Sequence, residues 1–543
     1  MPNNEFGDFQ TPLPLARQVM RTLGLSGRRG NWGRVLEPTC GVGNFLEAAS
    51  ELLPEAEVLG IEFQPGYASR ARAVAPVLER SIFDLDLARD ISWERHDAPL
   101  LVVGNPPWVT NAQLSVLGST NRPIRANTRR LRGIDAMTGS SNFDIAEYIW
   151  LKLIAELMDQ SPTISMLCKT QVARNVLAFC ADHSWPVRSS RLHRIDARRW
   201  FGAAVDACLF TVDVGAGGRD YVCDVHDSLA SGAPTTRMGV VDGRLVADTA
   251  AYARTRRADG RCPLEWRQGV KHDASGVMEV EQDGSGPVTR SGVRVDVEEE
   301  FLFPLLKSTD VFRARTASLS KWMIVPQRRL SDDTRKLEAT APRLWRYLNE
   351  NAGPLDGRRS AIYRNRPRFC VFGLGDYTFA PYKVAISGLH KSLEFRTVGP
   401  IAGRPAVFDD TCYFLSFADG LDCAVVGALL SSRPAKDLLA SMVFTDAKRP
   451  VTKKVLQRID LAALLDLVDG SELVAAVILE CERLGVPHAP DEVAERASRL
   501  RETWNGGSGS REFVLAEPEG TPPAPGGTWS EETRYEKTPC PGC

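Results

Sequence analysis

Residues 99–108 read Pro99-Leu100-Leu101-Val102-Val103-Gly104-Asn105-Pro106-Pro107-Trp108. The uncharged apolar run between Pro99 and Gly104 predicts a short buried strand. In an open parallel sheet, ligands sit beyond the carboxyl ends of the strands. The tetrapeptide Asn105 to Trp108 starts where this strand would end. Its two prolines fix φ and remove two amide donors. Nearby carbonyls then face outward as acceptors, the Asn105 side chain adds another, and Trp108 supplies a flat apolar face. Acceptors beside a stacking face suit a planar substrate that carries an amino group. Two hydrogen bonds accepted from that amine draw its lone pair out of ring conjugation and make it a better nucleophile. The plain alternative is an Asn-Pro turn with a packed Trp.

Upstream, Arg34-Val35-Leu36-Glu37-Pro38 predicts a strand, Asn44 to Leu53 a helix, Glu57 to Glu62 a second strand and Gly66 to Ala75 a helix. Downstream, Asn142 to Met158 has helical periodicity, and Thr163 to Cys168 and Ala207 to Val214 read as strands. Short apolar strands alternating with helices predict an α/β fold, a doubly wound and mostly parallel sheet. The turn Pro38-Thr39-Cys40-Gly41-Val42-Gly43 follows the first strand. Gly41 and Gly43 allow a ligand to approach the backbone closely, and the helix behind them offers free amides. Glu37 repels phosphate and attracts ammonium, which disfavours a pyrophosphate cofactor and favours one with an amino-acid head. Glu62, about 25 residues after Glu37, closes the second strand, where an acid is placed to bond a ribose diol; otherwise it is a surface Glu.

The chain has 543 residues, 43% hydrophobic and 25% charged, with 67 Lys+Arg against 68 Asp+Glu. These are ordinary globular values; they exclude collagen-like, wholly disordered and coiled-coil chains, and any nucleic-acid surface must be a local patch. Twelve scattered Cys suggest reduced thiols in the cytoplasm, and seven His show no metal spacing, so no metal is expected. No secretory signal and no membrane span is expected. The composition shift after residue 215 predicts four parts: a cofactor-binding catalytic domain over 1–215, a linker over 216–259, a recognition domain over 260–503 and a disordered tail over 504–543. Helices are expected at Val297 to Leu306, Pro342 to Asn351 and within 422–484.

Taken in order, these features resemble the gamma group of adenine-specific DNA amino-methyltransferases, enzymes of restriction-modification systems that use S-adenosylmethionine (SAM). Phe9-Gln10-Thr11-Pro12 resembles the group's N-terminal SAM motif, Glu37 to Phe45 its methionine-binding turn, Glu62 its ribose acid and Asn105 to Trp108 its catalytic tetrapeptide. The resemblance implies a class I SAM-dependent, Rossmann-like fold followed by an α+β recognition domain. It assigns Asn105, Pro106, Pro107 and Trp108 to catalysis, and Thr11, Glu37, Pro38, Thr39, Gly41, Gly43 and Glu62 to SAM. The target adenine in double-stranded DNA is flipped out to be reached, and Phe201 stands where the group places an aromatic on its other face. Residues 297–307 resemble the recognition half of such enzymes.

The sequence departs from the group at the end of the strand before Asn-Pro-Pro-Trp, where the group usually has an Asp that meets the adenine of SAM. Here the segment is Arg80-Ser81-Ile82-Phe83-Asp84-Leu85-Asp86. Asp84 is the expected substitute, with Asp86 and the Ser81 position as alternatives. DNA phosphates are expected to meet the Arg-rich segment 122–132 and the alternating Arg364, Arg366 and Arg368, with Lys383 and Lys391 close by. No Pro-Asp with a spaced Glu-x-Lys occurs in 216–500. The expectation is therefore modification without cleavage, with any restriction endonuclease on a separate polypeptide, at the nucleoid of the cytoplasm. An RNA base or a protein glutamine amide poses the same chemistry, and a catalytically silent DNA-binding module is the alternative outside enzymes.

Overall fold

The computed structural model describes residues 9–25, 32–109, 144–282, 286–315, 320–447 and 449–506. The Arg-rich segment 122–132 and residues 507–543 of the expected tail lie outside the described residues. Residues 504–506 end a helix, Pro490–Gly506.

The apolar run before the tetrapeptide forms β4 (Leu100–Gly104), a fully buried strand. It pairs in parallel with β1 (Arg34–Glu37), which pairs in parallel with β2 (Glu57–Glu62). In register, Leu36 stands between Leu59 and Val102. β3 (Val77–Glu79) continues beyond β2. On the other side of β4 lies β5 (Thr163–Lys169), also parallel. Next comes β7 (Ala207–Val214), antiparallel and inserted between β5 and β6 (Val187–Ile195). The doubly wound sheet expected from the sequence is present.

Alternate residues feed two cores, as the strand period of two requires. Val35, Leu101, Val103 and Leu167 pack with α1 (Leu13–Leu25) and α2 (Asn44–Leu52) through Leu15, Val19, Phe45 and Leu46. Leu36, Val102, Ile164 and Met166 pack on the opposite face with Ile149 and Leu153 of the helix Ile145–Leu157. Helix α3 (Pro65–Ala71) is shorter than its sequence pattern suggests.

The expected edge at residue 215 falls inside this sheet. β8 (Val222–His226), β9 (Thr236–Val241) and β10 (Arg244–Val246) add three strands beyond β6 and complete ten. Beyond them are a four-stranded and a five-stranded sheet. The four-stranded sheet shares a core with the helices Gly420–Ser431, Arg433–Met442, Gly470–Leu484 and Pro490–Gly506. Arg174, on the helix after β5, joins this second half to the first through two bonds of 2.6 and 2.8 Å to Asp446.

Three expectations are corrected here. Residues 297–306 are not a helix: a single short turn, Glu299–Phe301, leads into a buried strand, Leu302–Leu306. A brief apolar run satisfies either period, and Pro304 favours the strand because it cannot donate inside a helix. Arg364, Arg366 and Arg368 do not alternate along an extended strand. Asn365 is left-handed at φ 59°, so the segment turns, and Arg368 is held by Asp356 at 2.7 Å. Lys383 is no surface cation: it is 1% exposed, and its ammonium donates to the Ala380 carbonyl at 2.6 Å. The Pro342–Glu350 helix stands as expected.

Candidate active site

The carboxyl ends of β1 and β4 open onto one cavity lined by Thr11, Glu37, Pro38, Thr39 and Gly41, by Glu62, and by Asn105, Pro106 and Pro107. The sequence separates these residues widely; the parallel pairing of β1 with β2 and β4 brings them together.

The Gly turn is built for close backbone approach. Gly41 has φ +53°, and its amide donates to Glu62 Oε2 at 2.8 Å. A Cβ there would sit 2.4 Å from Gln10 Oε1, the atom that accepts the Val42 amide at 3.1 Å. Gly43, at φ +90°, starts α2 and would press a Cβ to 3.1 Å from Ala71. It shapes the turn without lining the cavity. The other Glu62 oxygen accepts from the Gln64 amide at 2.8 Å, so this carboxylate is fixed at the end of β2.

Four polar atoms of the cavity wall are buried without a hydrogen bond: Thr11 Oγ1, Glu37 Oε2, Thr39 Oγ1 and Asn105 Oδ1. An unpaired buried polar group costs about 1–3 kcal/mol, so four on one wall mark a place where a polar ligand belongs. Burial pushes the Glu37 carboxyl well above the usual carboxylate range, and the negative charge of Glu62 adds to the shift. A cationic ligand group would restore its charge. The Asn105 amide is oriented from below: Nδ2 donates to the Phe9 carbonyl at 2.8 Å, which leaves Oδ1 as the open acceptor.

The aromatic pair is arranged differently from the expectation. Trp108 is buried, its indole N–H directed at the Leu167 carbonyl at 3.4 Å. Its ring meets Phe201 edge-on, with centroids 5.2 Å apart and planes at 71°. Phe9 closes the group at 5.7 Å from Trp108 and 5.9 Å from Phe201. Two faces that sandwich a base need about 7 Å, twice a van der Waals separation of about 3.5 Å, so this pair is closed. Neither ring lines the cavity. Asp84 is exposed and also stands outside it, whereas Arg80, Ile82 and Phe83 of the same segment line it. Sequence reasoning gave no role to Phe63, Tyr67 and Arg80, which line the wall, and within the N-terminal motif it assigned Thr11 but not Phe9 and Gln10, which line it too. Phe9 and Gln10 directly precede Thr11, and that adjacency was the available signal. Among the described residues, no helix is long and apolar enough to cross a membrane.

No family model matches the chain. The type II methyltransferase M.NspV of Nostoc sp. is 37% identical over 472 residues, which covers 86% of this chain and 98% of that one. The type II methyltransferase M.XamI of Xanthomonas campestris pv. amaranthicola is 28% identical over 106 residues, 19% of this chain and 20% of that one. Among solved structures, the type IIL restriction-modification enzyme MmeI in complex with DNA has a TM-score of 0.50 at 12% identity, covering 91% of this chain and 76% of that one. This last likeness is one of fold and spans both halves of the chain. The identity to M.NspV, over nearly the whole of both chains, means that the chain belongs to the type II methyltransferases.

Proposed function

We propose that the chain transfers a methyl group from SAM to the 6-amino group of adenine in double-stranded DNA. It would act as a gamma-group modification enzyme of a restriction-modification system, at the nucleoid of the cytoplasm, with any restriction endonuclease on another polypeptide. The observation that carries this reading is the single cavity that joins Glu37, Thr11 and Thr39 to Asn105, each with a buried polar atom lacking a partner.

The wall suits SAM end to end. Glu37 offers a carboxylate to an ammonium head, Thr11 and Thr39 offer hydroxyls to a carboxylate, and Pro38 and Gly41 shape the turn around it. Glu62 can accept from a ribose diol while it holds the Gly41 amide. Bound SAM supplies an electrophilic methyl on a sulfonium. Asn105 Oδ1 and the Pro106 carbonyl accept the two hydrogens of the adenine amine and localise its lone pair, with Pro107 keeping that rim rigid. Trp108 and Phe201 flank the base once their rings part. No general base is needed before transfer, because the proton leaves after the new N–C bond forms. Positioning and preorganised acceptors carry the rate.

Fold-wide likeness to a DNA-bound restriction-modification enzyme favours DNA over RNA or protein as acceptor. The test is transfer of label from radioactive SAM to duplex DNA, RNA and total protein offered separately. Label in duplex DNA alone is expected; label confined to RNA or protein would overturn the reading, and SAM binding without transfer would favour a silent module.

A further inference from the structure

Among the described residues the cavity contains two acids, Glu37 and Glu62, and both stand at the ends of β1 and β2. None of its described carboxylates lies after β3, where the purine of a nucleoside held by Glu62 would extend. The reason is local. Ser81 Oγ accepts the Phe83 amide at 3.2 Å and closes the turn Ile82–Asp84. That turn sends Ile82 and Phe83 to the cavity wall and leaves Asp84 outside. Asp86 is pinned from both sides. The Leu85 carbonyl accepts from Lys152 Nζ at 2.7 Å, and the Leu87 amide donates to Glu156 at 2.9 Å. Asp86 itself caps the helix Leu87–Asp90 by accepting the Arg89 amide.

The wall after β2 and β3 is formed by Phe63, Ile82 and Phe83 with the uncharged polar Gln64 and Tyr67, and Arg80, itself exposed, is its one cation among the described residues. Phe83 is steadied by an edge-on approach to Tyr148 at 5.7 Å. A guanidinium has five N–H donors and no acceptor. It can donate to acceptors on a purine edge, and it cannot accept from an amino group.

We propose that Arg80 is the residue that recognises the purine of the cofactor, and that this chain reads acceptors on that ring in place of its 6-amino group. The inference rests on the SAM reading and names how one end of that site chooses its ligand. An acid at this position would reject a 6-oxo purine, because its oxygen would face a carboxylate. Arg80 accommodates that oxygen as a further acceptor.

The experiment is calorimetric titration of the full chain with S-adenosylhomocysteine and with S-inosylhomocysteine, which differs by carrying a 6-oxo group. The two are expected to bind within about threefold of each other, since no buried acceptor is left unpaired. Arg80→Ala should weaken both by about tenfold, in the range for a hydrogen bond from a charged group. Asp84→Asn should bind as the parent does. A 6-oxo ligand more than about thirtyfold weaker, while S-adenosylhomocysteine still binds, would overturn the assignment and leave the SAM reading standing. So would an unaltered Arg80→Ala or a loss of affinity in Asp84→Asn. Failure of the parent chain to bind either nucleoside would remove the SAM reading and this inference together.

Discussion

A polar cluster in the second half of the chain and the cavity wall in the first are arranged in opposite ways. In the cluster the groups satisfy each other. Lys307 bonds both oxygens of Glu279 at 2.6 and 2.7 Å, and His272 stands 3.2 Å from the same carboxylate. Ser387 accepts or donates to His390 at 2.7 Å and bonds Ser308 as well. In the first half, four polar atoms on one cavity wall have no partner. Groups that pair internally hold a fold together; groups left open at one place wait for something else. The contrast separates architecture from chemistry without reference to any relative.

Substitutions on the two sides should therefore fail differently. Asn105→Ala should lower single-turnover methyl transfer by about 100- to 1000-fold, the range for removing one preorganised hydrogen-bond partner. Affinity for S-adenosylhomocysteine should stay within about threefold, read by calorimetry, because the proposed role of Asn105 is toward the amine and not the cofactor head. Near-parental transfer would break the contrast at its centre.

Glu37→Gln should weaken S-adenosylhomocysteine by about 10- to 100-fold, the loss of a charge-assisted bond. Its pH dependence sharpens the point. Burial raises the Glu37 carboxyl well above its usual range, so a protonated fraction must lose its proton to meet an ammonium. Affinity should rise with pH until Glu37 is ionised, with net proton release on binding. Calorimetry in buffers of different ionisation enthalpy measures that release, and Glu37→Gln should abolish it.

Lys383 tests the other half. Its ammonium is pulled down to about 7 by burial, so between pH 7 and the usual lysine range the unfolded chain binds more protons than the folded one. Stability should rise with pH across that window and stay at its lower level below it. Lys383→Met should flatten the slope in thermal melts and raise the melting temperature near pH 7, with S-adenosylhomocysteine affinity unchanged.

The smallest effect belongs to the surface. Arg364→Ala with Arg366→Ala should leave the melting temperature alone and weaken duplex DNA binding by about threefold to tenfold. The salt slope should fall by about one for each phosphate no longer neutralised. An unchanged slope would remove these two arginines from the DNA surface.

The unequal legibility of the two halves has the same origin. The strand, Gly turn and helix from Val35 to Phe45 could be read because each step is local: an apolar run, two glycines, a helical stripe. Asn105-Pro106-Pro107 could be read because prolines constrain their own backbone. The antiparallel strand Ala207–Val214 carried its apolar run openly, whereas β8 to β10 are short and carry no marker of the sheet they join. Asp84 stands outside the cavity wall because its direction depends on a one-turn helix set by Ser81, a detail of three residues that spacing does not reveal. Lys383 looked like a surface cation because strand alternation does not say which face is buried; Ala385, on the same face, lies in a core with Phe408 and Phe414, and the Lys383 ammonium stands 6.0 Å from the Phe414 ring. Gln10 and Phe9 reach the cavity only through the docking of α1 beside the Gly turn.

The central claim is that the rim at Asn105 accepts an adenine amine. Duplex DNA incubated with the chain and SAM, then digested to nucleosides and resolved by mass spectrometry, tests it directly. The account predicts N6-methyladenine in the parent reaction and none with Asn105→Ala; methylation found only on cytosine, or an equal yield from the variant, would contradict it.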